Sequence, residues 1–133
     1  MDHLEAFLQS FVTKRSKERW LLALAKVKKN ENLLRGMDAL YRDLDEQFCI
    51  PVPNGSQQQE IDFVRQALRK YKLTNCYVLS ADDSFHQQTL PIEEALQRIL
   101  GTNSTSILSF IPGRVALFEG HSTGDRYLCV REV

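Results

Sequence analysis

Apolar positions in the first half of the chain recur with the period of a helix. A first helix is predicted from residues that follow the three-and-four spacing of one helix face: Leu4, Phe7, Leu8, Phe11 and Val12. Ser16 is expected to cap a second helix, whose apolar side carries Trp20, Leu21, Leu24 and Val27. After a polar break at "KKNEN", residues 28–32, a third helix is predicted from the stripe Leu33, Met37, Leu40, Tyr41, Leu44 and Phe48. Whether the second and third helices form one bent rod stays open.

The prolines in "IPVPNGS", residues 50–56, end this helical pattern because proline removes backbone amide donors. A further helix is predicted to begin at Ser56, which forms a capping box with Gln59, and to end near Lys72. "NCYVLS", residues 75–80, is β-branched and aromatic and predicts a strand. We expect "ADDSFHQQ" to be a polar loop, followed by a helix that starts near Thr89 and closes at Gly101.

From residue 105 the helical period gives way to short apolar runs that predict three antiparallel strands. Pro112 and Gly113 suit a type II turn between "SILSFI" and "VALFEG", and "HSTGD" suits a turn into "RYLCV". The first two runs are apolar at nearly every position, which is typical of strands covered on both faces, or on one face and a partner surface. The prediction is an α+β fold in which three to four N-terminal helices and one further helix pack on a small, mainly antiparallel four-stranded sheet. It is a single domain, residues 1–133, with a helical part at 1–73 and a sheet-containing part at 74–133.

Composition agrees with one ordinary globular domain. The chain has 133 residues, of which 43% are hydrophobic and 26% charged, close to the average for such domains. The longest apolar stretches fall short of the roughly 20 residues that a spanning helix needs, so no membrane association is expected. The first residues include acids and lack the basic start of a secretory signal. A cytoplasmic location is therefore expected.

The cysteines Cys49, Cys76 and Cys129 are far apart in the sequence and odd in number. This spacing suits neither a disulfide framework nor a zinc site, so we expect buried free thiols. No catalytic residue, metal or other cofactor is predicted, because nucleophile, phosphate-loop and metal-ligand motifs are absent from the sequence.

Charge is balanced overall but segregated along the chain. Residues 1–36 hold eight Lys or Arg against four Asp or Glu, and residues 37–63 hold one against six. A partner-binding surface is predicted from four acids of the third helix and from an arginine on the Pro-Gly turn: Asp38, Asp43, Asp45, Glu46 and Arg114. The basic residues flank the second helix: Lys14, Arg15, Lys17, Arg19, Lys26, Lys28 and Lys29. Nucleic-acid binding through them is the weaker interpretation, because no aromatic run accompanies them.

A ligand site is predicted if the two histidine-bearing loops meet at one sheet edge: Asp82, Asp83, His86, Glu119 and His121. The leading hypothesis is nevertheless a non-catalytic protein-binding domain that neutralises a toxin or enzyme with a basic cleft. In size and organisation the chain resembles small bacterial immunity or inhibitor proteins. A small-molecule-binding protein or enzyme using the histidine-bearing loops is the alternative.

Overall fold

The structure is a computed structural model that describes residues 2–28, 31–122 and 124–132. The elements in chain order are α1 (His3–Phe11), α2 (Lys14–Ala25), 3-10 turns at Leu33–Gly36 and Asp38–Asp43, β1 (Cys49–Pro51), α3 (Gln57–Leu68), a 3-10 turn at Arg69–Tyr71, β2 (Asn75–Ser80), β3 (Gln88–Pro91), α4 (Ile92–Ile99), β4 (Ser106–Ile111), β5 (Val115–Glu119) and β6 (Arg126–Val130). None of the helices in these ranges is long and apolar enough to cross a bilayer.

The strands form one antiparallel sheet of six strands in the order β1-β6-β5-β4-β2-β3. The α+β class is confirmed, but the prediction of a four-stranded sheet is wrong. Both missed strands, β1 and β3, are edge strands of three and four residues. Each ends in proline, and β3 is mostly exposed, so neither carries the apolar signal of a strand. β1 also comes from the part of the chain that was predicted to be helical.

Neighbouring residues of the central strands point into two separate cores. On β4 and β5, Leu108 and Leu117 pack on the side of α3 and α4, whereas Ile107 and Phe118 pack on the side of α1. Helices contribute to the first core through Ile61, Val64, Leu68, Ile92, Leu96 and Ile99. The second core includes Leu4, Phe7, Leu8, Phe11, Leu34, Met37 and Leu40. Because the sheet is covered on both faces, its central strands are apolar at most positions.

The predicted third helix is not an α-helix. Its residues form the two 3-10 turns, after which Leu44 makes an isolated bridge with Val12. Leu34, Met37 and Leu40 are spaced by three, and a 3-10 turn places residues i and i+3 on one side. All three side chains are fully buried. The predicted stripe had Leu33 in place of Leu34, and Leu33 is only partly buried.

The helix boundaries that were predicted from the sequence are only partly confirmed. The Ser56–Gln59 capping box is present and opens α3. Lys72 adopts a left-handed conformation (φ 51°) just after the 3-10 turn that follows α3. Ser16 does not cap the second helix, because α2 begins at Lys14, with Thr13 before it. Lys29, Asn30 and Thr123, which belong to the predicted break at 28–32 and the turn at 121–125, lie outside the described residues.

Truncating adjacent residues of β5 tests whether both faces of the sheet are buried. We expect Leu117→Ala to cost about 2–5 kcal/mol of unfolding free energy and Phe118→Ala about 3–5 kcal/mol, because each leaves a cavity in a different core. The measurement is urea denaturation followed by circular dichroism. Ile50→Ala is the control, because Ile50 is 49% exposed on the edge strand β1, and it should change stability by less than about 0.5 kcal/mol. A near-neutral result at either β5 position would contradict the two-core architecture.

Candidate functional site

Helix α2 lies at the periphery of the fold. None of its side chains is fully buried. Trp20, Leu21 and Leu24 are half-buried against the core on the side of α1, and α1 is the element that α2 mainly contacts. A helix in the interior of a layered fold buries one apolar stripe. Helix α2 buries its stripe only in part, so much of its surface faces outward.

Asp43 holds this helix to the body of the protein. Its carboxylate accepts hydrogen bonds from the Ser16 hydroxyl (3.1 Å), the Arg19 guanidinium (2.6 Å) and the Trp20 indole N–H (2.7 Å). The Asp43 side chain is only 18% exposed. Its backbone carbonyl also accepts from the amide of Thr13, just before α2. Asp43 was predicted to contact a partner, but the structure uses its carboxylate within the chain.

The outward side of α2 is cationic around an apolar centre. We define the α2 surface as the residues that line one shallow depression along the helix: Arg15, Glu18, Arg19, Leu22, Ala23 and Lys26. Leu22 is 51% exposed, which makes it one of two strongly exposed large hydrophobic residues, with Ile50, among the residues described. Lys14, Lys17 and Lys28 add positive charge nearby in the sequence. Lys29 lies outside the described residues.

The other predicted partner-binding residues are dispersed. Asp38 accepts a hydrogen bond from the Thr105 hydroxyl (2.8 Å), and Asp45 accepts one from the Gln47 amide (3.0 Å). Glu46 is exposed. Arg114 lies on the turn between β4 and β5, where Gly113 has the positive φ of 71° that a type II turn requires.

Glu119, a predicted ligand-site residue, is completely buried in a polar network. Its carboxylate accepts from Gly101 N (2.7 Å), Thr102 Oγ1 (3.0 Å), Asn103 N (3.0 Å) and Arg126 Nε (3.0 Å). The network fixes the loop between α4 and β4 to the sheet. Because four donors already occupy the carboxylate, its role in this conformation is structural.

Arg126 joins Glu119 to a second buried acid. Its guanidinium lies 3.1 Å from Glu60 of α3, and both side chains are almost fully buried. This network was not predicted from the sequence. A signal was present, because Glu60 lies four residues before Val64 and thus on the apolar side of its helix.

The remaining loop residues do not share one depression. Asp82 and His121 line a shallow depression together with Asp38 and Thr105. His86 instead accepts a hydrogen bond at Nδ1 from the Ser80 amide (3.1 Å), and Asp83 pairs with Arg35. Burial lowers the pKa of His86, and this effect outweighs the nearby Asp83. In residues 2–28, 31–122 and 124–132, no three His, Cys, Asp or Glu side chains are placed to hold a metal ion.

A serine–histidine contact links α1 to the sheet. His3 Nδ1 lies 2.8 Å from the Ser109 hydroxyl, and the imidazole stacks on Tyr77 with ring centroids 4.4 Å apart. Ser109 is buried, so its oxygen is not open to a substrate. Burial lowers the pKa of His3. The contact therefore anchors the start of α1 on β4 and β2.

Comparison with known proteins gives no family. No protein-family model matches the chain, no curated protein matches it, and no solved structure matches it.

Removing the Asp43 carboxylate tests its hold on α2. We expect Asp43→Ala to lower the unfolding free energy by about 2 kcal/mol, because three donors lose a partly buried acceptor. Trp20 is the single tryptophan of the chain, so its emission should shift to longer wavelength as the indole becomes more hydrated. Glu46→Ala is the control for removing an acid, and it should leave the emission unchanged. An unchanged spectrum for Asp43→Ala would contradict the proposed anchoring.

Stability should also fall as the partly buried residues His3 and His86 become protonated. The folded-state pKa values of His3 and His86 are lowered by burial. Their stabilising contribution is therefore present above the unfolded pKa near 6.5 and is lost as the pH falls through the lower folded pKa. We expect the unfolding free energy from urea titrations to be lower at pH 5.5 than at pH 7.5. In the His3→Phe, His86→Asn double variant the difference should shrink, and an unchanged difference would contradict the assignment.

Proposed function

We propose that this chain is a non-catalytic protein-binding domain whose α2 surface docks on an acidic partner protein. The observation that carries the proposal is Leu22, which is 51% exposed on a helix that has no fully buried side chain. Arg15, Arg19 and Lys26 line the same depression as Leu22. An apolar centre with a charged rim is the usual arrangement of a protein-binding surface.

The composition of the α2 surface favours a protein over a nucleic acid as the partner. Phosphate binding needs cations, but it gains little from an exposed leucine and is opposed by Glu18, which lies in the same depression. A protein partner with acidic residues around an apolar pocket would pair with the cations and bury Leu22. Opposite charges would also accelerate association and select the partner.

This proposal reverses the charge of the partner that the sequence suggested. An acidic surface for a basic cleft is less well supported, because the Asp43 carboxylate is bound by three donors of α2. The residues Asp38, Asp45 and Glu46 remain a predicted second surface. We propose an immunity- or inhibitor-type role as one use of the α2 surface. This role requires that binding suppress the activity of the partner.

Two matched substitutions test the α2 surface. Leu22→Asp removes its apolar centre, and Ile50→Asp makes the same change at the comparably exposed Ile50 (49%) on the edge strand β1. Both proteins and the wild type serve as baits for capture from source-cell extract at 150 mM salt, and calorimetry then gives the affinity of the enriched protein. We expect Leu22→Asp to weaken binding at least about 10-fold, whereas Ile50→Asp leaves it unchanged. Equal affinities for the wild type and Leu22→Asp would contradict the proposal.

Duplex DNA serves as the competing probe. If the wild type bound DNA tightly, if affinity fell steeply with salt and if Leu22→Asp had no effect, the α2 surface would be a phosphate-binding surface instead.

A further inference from the structure

Cys49 and Cys129 lie directly opposite each other on β1 and β6, although they are far apart in the sequence. The neighbouring backbone hydrogen bonds run from Val130 N to Phe48 O (2.9 Å) and from Val52 N to Arg126 O (2.8 Å). Hydrogen-bonded and non-hydrogen-bonded pairs alternate along an antiparallel ladder. Cys49 and Cys129 therefore form a non-hydrogen-bonded pair, in which the two strands come closest.

This position has the spacing that a disulfide requires. Cα atoms of a non-hydrogen-bonded pair are about 4.5 Å apart, and disulfides join Cα atoms at roughly 4.4–6.8 Å. Both thiols belong to the core on the side of α1. Burial and the adjacent Cys49 thiol raise the pKa of Cys129. Cys76 belongs to the other core, across the sheet, and is therefore not aligned with either of them.

Access to this buried pair depends on the edge strand β1. β1 has three residues and pairs with a single strand, β6. Its outer side is open, since Ile50 is 49% exposed. Short edge strands with few buried contacts open locally at low free-energy cost. Separation of β1 from β6 would withdraw Cys49 from the core and uncover the side of Cys129 that faces it.

We propose that Cys49 and Cys129 are a redox modification site that forms an intramolecular disulfide with a low-molecular-weight disulfide, such as oxidised glutathione, as the oxidant. The Cys49 thiolate attacks one sulfur of the oxidant, whose S–S bond breaks and releases one thiolate. The Cys129 thiolate then attacks the Cys49 sulfur of the mixed disulfide and releases the second. The two cysteines lose two electrons, the oxidant gains them, and the two cysteine protons pass to the released thiolates.

The disulfide would tie the edge strand to the sheet. It closes a loop of about 80 residues and therefore restricts the unfolded chain strongly. It also prevents the opening of β1, so oxidation protects the pair from further reaction. This inference is independent of the α2 surface.

The experiment oxidises the folded wild-type protein to equilibrium in buffers of reduced and oxidised glutathione. We expect a mass loss of about 2 Da, a fall in titratable thiols from three to one under denaturing conditions, and a rise in Tm of about 10 °C. Cys49, Cys76 and Cys129 fall in different tryptic peptides, so a non-reduced digest identifies the linked pair without any variant.

Variants at buried cysteines provide the matched control. Cys76→Ala should still lose two thiols and gain the Tm shift, whereas Cys129→Ala should show neither. A Cys76-linked peptide, a stable glutathione adduct on Cys49 in the wild type, or three free thiols after prolonged oxidation in mild urea would each overturn the proposal.

Discussion

Burial of the sheet on both faces is the constraint on which the rest of this structure depends. Adjacent residues such as Leu117 and Phe118 are both fully buried but belong to different cores. The chain must therefore supply two covering layers, and it does so with α3 and α4 on one face and with α1 and the 3-10 turns on the other. No sheet face is left for α2. Its partial exposure follows from the completed layers, because a helix outside them has only α1 and the neighbouring turn to pack on.

Polar contacts position two segments that apolar packing does not hold by itself, namely helix α2 and the loop after α4. A single carboxylate, Asp43, orients α2 through three donors, and another, Glu119, fixes the loop after α4 through backbone amides and Arg126. Buried or partly buried carboxylates of this kind lose hydration, which only complete hydrogen bonding restores. They are therefore positioning groups. The even charge balance of the whole chain, with 17 acidic and 17 basic residues, does not show that some of these acids form hydrogen bonds within the fold.

The parts of the fold that sequence reasoning predicted are those specified by local patterns. The capping box at Ser56 needs only residues three apart, and strand β2 was predicted at residues 75–80, where it lies. The edge strands β1 and β3 were not predicted, because a strand that pairs with only one neighbour carries little apolar pattern. The stripe that begins at Leu33 and ends at Phe48 was misassigned to an α-helix, because the spacing by three of Met37 and Leu40 suits both helix types. The role of Asp43 depends on partners 23 to 27 residues away, which no local pattern indicates.

The same limit explains why the cysteines looked unrelated. Spacing along the chain reports on local motifs, whereas the pairing of Cys49 with Cys129 arises from β1, a strand whose existence depends on β6 being there to receive it. Because β1 is short and lies at the edge, it is expected to separate from β6 at low free-energy cost. Two thiols placed across that contact therefore couple a chemical change to the pairing of a short edge strand. Cys76 lies on β2, between β3 and β4, and its register partner on the edge strand β3 is Leu90, so no second thiol faces it there.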